Sequence, residues 1–274
     1  MSSAERIRAH RSIRKYQNRP IDGDLLHSVL ETGIRASSSG NMQAFSIIVT
    51  TDTVLKNKLH SLHFQQDMVL QAPVLLTFCS DFHRMRRWLR LNQAPDNFDN
   101  FMSFMIGAID AVLVSQNVAL AAEENDLGIC YLGTTLANCL EISKLLQLPK
   151  NVVPVTGMVL GYPAENPPLR DRLPLEGLVH QDHYRHCSDE ELKDIYRERE
   201  QKGWARYQSD PEIAEAINRK NLKNLAQIYT AHKYTQASHV DYSQTLLNCL
   251  VRQDFWHHPA RPRNSHGQPI PNTH

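Results

Sequence analysis

The run Phe104-Met-Ile-Gly-Ala-Ile-Asp110-Ala-Val-Leu-Val-Ser-Gln116-Asn117-Val-Ala-Leu-Ala-Ala122 is the most apolar stretch of the chain, and how it is buried decides the fold. From about Asn100 to Asp126 its apolar residues recur on nearly every helical face, and Gly128 stands where a helix stops. The run is long enough to raise the question of a membrane span. However, Asp110, Gln116 and Asn117 lie inside it, and an Asp at the centre of a span costs about 2.5–3.5 kcal/mol of insertion. It therefore predicts a buried helix of a soluble body that needs cover on all sides.

The neighbouring patterns supply that cover. On the C-terminal side, Ile129–Leu132 reads as a strand, Asn138–Leu148 as a helix and Val153–Tyr162 as a second apolar strand. On the N-terminal side, Leu25, Leu26, Val29, Leu30 and Ile34 share one face of a helix over Asp22–Ala36, with Asp22 placed to cap it. The loop Ser37-Ser38-Ser39-Gly40-Asn41 leads to a strand at Phe45–Thr50, a capped helix at Asp52–His63 and a buried strand at Pro73–Cys79. Helix and strand alternate through the first two thirds, which makes an α/β layered body. Beyond Pro163 come prolines and charged helical patterns at Ser188–Lys202, Asp210–His232 and Asp241–Asp254, then a His- and Pro-rich tail from His257 that reads as disordered. No internal repeat or Gly/Ser linker divides the chain.

Composition narrows the function classes. With 30 Lys+Arg against 29 Asp+Glu, the formal charge is +1, so no global field draws the protein to nucleic acid or an acidic membrane. Any anion site is local. The polar, basic start carries no apolar export signal, and five scattered cysteines suit reduced thiols in the cytoplasm. The chain has no GxSxG elbow, no GxxxxGK[ST] loop and no HExxH, which removes the simplest hydrolase, nucleotidase and metalloprotease readings.

Local anion chemistry is available twice. His10-Arg11-Ser12-Ile13-Arg14 gathers two guanidiniums, a hydroxyl and an imidazole, and Arg170 and Arg172 form a second pair. Arginine forks match phosphate oxygens, yet each cluster alone also reads as a solvated basic surface. The Ser-rich loop is either a polar ligand contact or a plain turn. Gly128-Ile-Cys-Tyr-Leu-Gly133 lets backbone approach a flat ligand without the spacing of a dinucleotide fingerprint. His180, His183, His186 and Cys187 are zinc-type ligands, but they drift around a helix and lack an acidic partner, so surface contacts fit them better than a metal.

Taken together and in order, these pieces resemble the nitroreductase family, and within it the oxygen-insensitive major nitroreductase and flavin reductase branch. The matching stretches are His10–Arg14, the Ser-rich loop through Gln43, Phe78–Phe82, Asp110–Gly133, and Leu160–Pro167 continuing through Arg170, Arg172, Leu173-Pro174 and His180. They cover roughly residues 5 to 186 in register. The resemblance implies an α/β (α+β) fold, a three-layer α/β/α sandwich of the FMN-dependent type. It implies a core over 1–187, a helical C-terminal extension over 188–256 packed on the core or a partner, and the tail over 257–274.

The resemblance also implies non-covalent FMN in an intertwined homodimer, with the long apolar helix at the subunit contact. His10, Arg11 and Ser12 with Arg170 and Arg172 would hold the phosphate, and Arg14 would lie toward the ribityl chain and pyrimidine edge. Ser38, Ser39 and Gln66 would contact ribityl or ring polar groups, and Leu132 and Gly133 would line the isoalloxazine. Reduction would be ping-pong: NADPH or NADH reduces the flavin and leaves, and a nitroaromatic, quinone or free flavin takes its place. The protein's task is then orientation and flavin electronics, with no catalytic side chain.

One departure concerns the nicotinamide donor. Where the branch carries an arginine-bearing loop for the NADPH 2′-phosphate, Gln236–Tyr242 has no arginine, and Lys233 and His239 are the nearby substitutes. The segment 82–104, with Arg84, Arg86, Arg87 and Arg90, is a second candidate departure. A flavin-binding protein without turnover, such as a store or a redox-responsive partner, is the rival reading. The long helix likewise admits two roles, the centre of the chain's own core or the face of a dimer.

Overall fold

A computed structural model describes residues 2–256; the disorder expected for 257–274 lies outside the described residues. Four strands form one sheet: β1 (Phe45–Thr50), β2 (Val74–Asp81), β3 (Gly128–Leu132) and β4 (Val152–Gly161), in the order β1-β2-β4-β3. Every pairing is antiparallel, so the alternation of helix and strand along the chain does not produce a parallel sheet.

The helices of this part are α1 (Ser3–Ala9), α2 (Gly23–Gly33), α3 (Thr53–Leu62), α4 (Met68–Gln71), α5 (His83–Leu91), α6 (Phe101–Glu124), α7 (Thr134–Ala137) and α8 (Cys139–Leu145). Asp22 and Asp52 accept amide hydrogens at the starts of α2 and α3, as their cap positions predict. The short helix α5 carries no predicted pattern; it is held by Arg86, which binds Asp96 at 2.7 Å and Asn151 at 2.6 Å.

The pleat of the sheet builds the layers. Leu76, Phe78, Met158, Leu160 and Ile129 face one core, with Ala111, Val114 and Val118 of α6. Leu75, Val159, Cys130 and Leu132 face the other, with Leu59 of α3, Val69 of α4 and Ile142 of α8. Adjacent residues on one strand thus enter opposite cores, and helices cover both faces, which is the three-layer sandwich. β2 and β4 are central, and all eight residues of β2 are buried.

α6 lies directly on β2. A Cβ on Gly107 would come within 2.3 Å of Ser80 Oγ and 2.8 Å of the Ala44 carbonyl oxygen, so only glycine permits this approach. The helix has a buried face and an exposed apolar face. Phe104, Val114 and Val118 are buried in the chain's own core. Met102, Met105, Ile109, Val112 and Leu113 are exposed along the other face, Met102 by 66% and Ile109 by 51%. The five cysteines are free thiols, four of them buried.

The chain divides into two compact units, Pro168–Asp241 and the remainder. The second unit holds α9 (Asp189–Gln208), α10 (Pro211–Lys220) and α11 (Leu225–Ile228), and α12 (Gln236–Arg252) spans its boundary with the first. The expected boundary at 187/188 falls inside this second unit. The pattern over Asp210–His232 is not one helix. Asn221 takes a left-handed conformation at φ 52° that ends α10, and Asn224 caps α11. Ile217, Leu222 and Ile228 form the unit's core with Trp204, Tyr207 and Ile213.

Candidate functional site

The segment after α1 is pinned as an extra edge beside the sheet. The Ile13 amide donates to the Ile129 carbonyl at 2.8 Å, Ser12 bridges to Ile129, and Tyr16 bridges to Pro163. Ile13 and Tyr16 are buried by this, while Arg11 and Ser12 are half-buried and Arg14 is exposed. Glu165 accepts the backbone amides of Arg14 at 2.5 Å and Lys15 at 3.1 Å, which fixes the turn of the chain there.

Beside this segment lies a cavity of about 310 Å³, whose lining includes Arg6, His10, Arg11, Glu123, Asp126 and Glu165. Its acids already have partners. Glu123 lies 2.5 Å from His10 Nδ1, Asp126 pairs with Arg6, and Glu165 takes the two amides. Arg11 is different: its Nη1 donates to the Ala9 carbonyl at 3.2 Å, and its Nε is buried with no partner. A buried guanidinium N–H left unpaired at a cavity wall suits an anionic oxygen.

The Ser-rich loop is organised by Asp110 of α6, which is fully buried. Its carboxylate accepts from Ser38 Oγ at 2.7 Å, the Ser39 amide at 3.0 Å and the Ala44 amide at 3.2 Å. Ser38 Oγ in turn accepts from the Gln43 amide at 2.7 Å. The Ser38 hydroxyl hydrogen is therefore committed within the chain, whereas the Ser39 hydroxyl takes part in none of these bonds. Gly40, Asn41 and Gln43 all hold positive φ near 55°, a tight path that the carboxylate stabilises. Asp110 escaped the sequence reading as a site residue because it shows there only as a polar interruption of an apolar run.

At the end of β3, Leu132 sends its side chain wholly into the core, so only its backbone is available to a flat ligand. Gly133 is exposed, and a Cβ there would meet nothing within 4 Å, which leaves open room over the strand end. Gln66 lies across from this end, donating through Nε2 to the His63 carbonyl at 2.9 Å and to Thr134 Oγ1 at 3.4 Å.

His10–Arg14, Ser38–Ser39, Gln66 and Leu132–Gly133 all belong to the first unit, and of these His10, Arg11 and Ile13 line the 310 Å³ cavity. Arg170 and Arg172 belong to the second unit. Both are exposed, and Arg172 donates to the backbone carbonyls of Arg170 and Asp171. The Asp171 carboxylate is enclosed by Arg199 at 3.2 Å and Arg206 at 3.8 Å. Lys233, the substitute cation of the donor-binding stretch, lies over the Tyr207 ring at 4.5 Å.

Residues 7–162 match the family described as Nitroreductase. The chain belongs to the nitroreductase family. It is 35% identical over 193 residues to the NADPH-flavin oxidoreductase of Vibrio harveyi, covering 70% of this chain and 78% of that one. It is 36% identical over 195 residues to the oxygen-insensitive NADPH nitroreductase of Salmonella typhimurium, covering 71% and 79%. A Bacteroides fragilis protein of solved structure superposes with a TM-score of 0.84 at 40% identity, covering 92% of this chain and all of its own. The resemblance and the sandwich fold drawn from the sequence are thereby established for this nitroreductase-family chain.

His63 is buried beside this site, and burial, with His60 nearby, pushes its imidazole down to about 4. In the unfolded chain the same group titrates near about 6.5. The unfolded state therefore binds the proton more readily. Stability is full above about pH 6.5 and declines as the pH falls toward 4. Urea unfolding at about pH 7.5 and about pH 5 is expected to differ by roughly 2 kcal/mol from this residue, and His63→Asn to flatten the difference. An equally steep decline in the variant would assign it to other groups.

Proposed function

We propose that this chain is a soluble, cytoplasmic, homodimeric oxidoreductase that binds FMN non-covalently and uses NADPH or NADH to reduce nitroaromatics, quinones or free flavin. The observation that carries the reading is Arg11, which lines the cavity and has a buried Nε without a partner, inside the segment that matches the family. FMN, when bound, supplies the two-electron relay between the nicotinamide donor and the acceptor.

The chain's own residues hold and orient the cofactor. Arg11, with His10 and Ser12, binds the phosphate, assisted by Arg170 and Arg172; Arg14 lies toward the ribityl chain. The Ser39 hydroxyl and the Gln66 carboxamide meet polar groups of the flavin, and Gly133 leaves its face uncovered. Ser38 acts chiefly by holding the loop through Asp110. α6 carries an exposed apolar stripe, as fits a site completed by a second copy of the chain.

The test is spectroscopic. The purified protein is yellow, bleaches anaerobically with NADPH or NADH, and recolours on adding a quinone or nitroaromatic. Double-reciprocal lines for donor and acceptor are parallel. A yellow protein inert to both nucleotides would instead be a flavin binder without turnover. In the same assay Arg11→Ala or Arg172→Ala loses charge-assisted bonds worth about 1.5–3 kcal/mol, so FMN affinity drops about tenfold or more. Unchanged affinity in both variants would remove the phosphate assignment.

A further inference from the structure

The turn that follows α3 is built at a conformational cost. Phe64 and Gln65 stand in succession at φ 56° and 55°, where side chains with a Cβ are disfavoured, and neither is a glycine. The turn is locked by the Gln65 amide donating to the His60 carbonyl at 3.0 Å and by the Asn138 side chain donating to the Leu62 carbonyl at 2.6 Å. It places the His63 ring against α7, with Nδ1 2.8 Å from Thr134 Oγ1. Thr134 directly follows Gly133, so this part-buried contact adjoins the open strand end in the chain.

The orientation of the Gln66 carboxamide follows from counting its donors. A threonine hydroxyl has one hydrogen and two lone pairs. Gln66 Nε2 donates into one lone pair of Thr134 Oγ1, and the same hydroxyl shares its other hydrogen bond with His63 Nδ1, as donor or acceptor according to the imidazole tautomer. The second hydrogen of Gln66 Nε2 goes to the His63 carbonyl. Both donors of the carboxamide are then spent inside the protein, which leaves its Oε1 as the group it can offer to a ligand. The side chain is thereby fixed in orientation as well as in position.

We propose that His63 and Thr134 are positioning residues that hold the Gln66 carboxamide with its oxygen toward a hydrogen-bond donor of the flavin, a ring N–H or a ribityl hydroxyl. The inference rests on the reading that Gln66 faces FMN. None of the motifs that identify the family contains the pair.

The test measures FMN dissociation constants of the full chain by fluorescence titration, for His63→Leu, Thr134→Val, their double variant, His63→Asn and Gln66→Ala. His63→Leu and Thr134→Val each weaken FMN by about three- to tenfold, as the loss of one orienting hydrogen bond does. The double variant is no weaker than the worse single one, because the two belong to one chain of bonds. His63→Asn, whose carboxamide can donate or accept near the place of Nδ1, returns affinity to within about twofold of the wild type. Thr134→Val preserves shape, so it separates the hydrogen bond from packing should His63→Leu unfold the protein. Weak FMN binding in Gln66→Ala with wild-type affinity in Thr134→Val and His63→Leu overturns this inference alone. Wild-type affinity in Gln66→Ala overturns the reading of Gln66 and the inference with it. Equal losses in His63→Asn and His63→Leu reduce the role to packing and likewise overturn it.

Discussion

Asp110→Ala is expected to lower stability by about 3 kcal/mol or more and to abolish FMN retention together. The carboxylate is fully buried and accepts three hydrogen bonds, two of them from backbone amides. Bonds to a charged acceptor are worth about 1.5–3 kcal/mol each, and an orphaned buried amide adds its own desolvation cost. At roughly 2–4 °C per kcal/mol for a chain of this size, the midpoint of thermal unfolding falls by about 6–12 °C. The loop loses the anchor that holds its run of positive φ, so the Ser39 hydroxyl is displaced even in the fraction that folds. Asp110→Asn keeps the shape and lies between the two. Differential scanning calorimetry and the ratio of bound flavin to protein read both effects, and a variant as stable as the wild type with full flavin would show that the loop is held by something else.

Ile109→Asp is expected to convert a dimer to a folded monomer that no longer holds FMN. Ile109 sits at the middle of the exposed stripe formed with Met102, Met105, Val112 and Leu113 on α6. An obligate interface buries about 2,000 Å² or more, and a new carboxylate at its centre has no partner. The cost is several kcal/mol and is paid once in each subunit by symmetry, so association weakens by roughly a thousandfold or more. Val114→Asp makes the contrasting variant. Val114 is fully buried against β2 and β4 within one chain, so that substitution unfolds the protein instead of dissociating it. Light scattering on both variants separates the two faces of the helix. A wild-type monomer with stoichiometric FMN would end the dimer reading, and with it the shared site.

The sequence by itself determined the elements and the family. Alternating apolar runs marked all four strands to within two residues, because burial on both faces of a sheet demands continuous β-rich segments whatever their order. Asp22 and Asp52 marked helix starts because a cap is a local bond. His10–Arg14 stood out because guanidiniums bunched in sequence stay bunched in space. What lies between elements was decided only by tertiary structure. Strand direction and order follow from how the helices cross the sheet, and helix-strand alternation is compatible with more than one arrangement. α6 looked apolar on every face, and only packing on β2 through Gly107 decided that Val114 and Val118 face inward while Ile109 and Val112 face out. Asp110 is an isolated polar residue in the sequence and becomes the anchor of the Ser38–Ala44 loop only when the fold brings residues some seventy positions apart within hydrogen-bond reach. His63 and Thr134 are likewise 71 positions apart. Their hydrogen bond depends on a turn of two left-handed residues, which no periodicity or propensity encodes, because its strain is compensated by contacts made elsewhere in the chain.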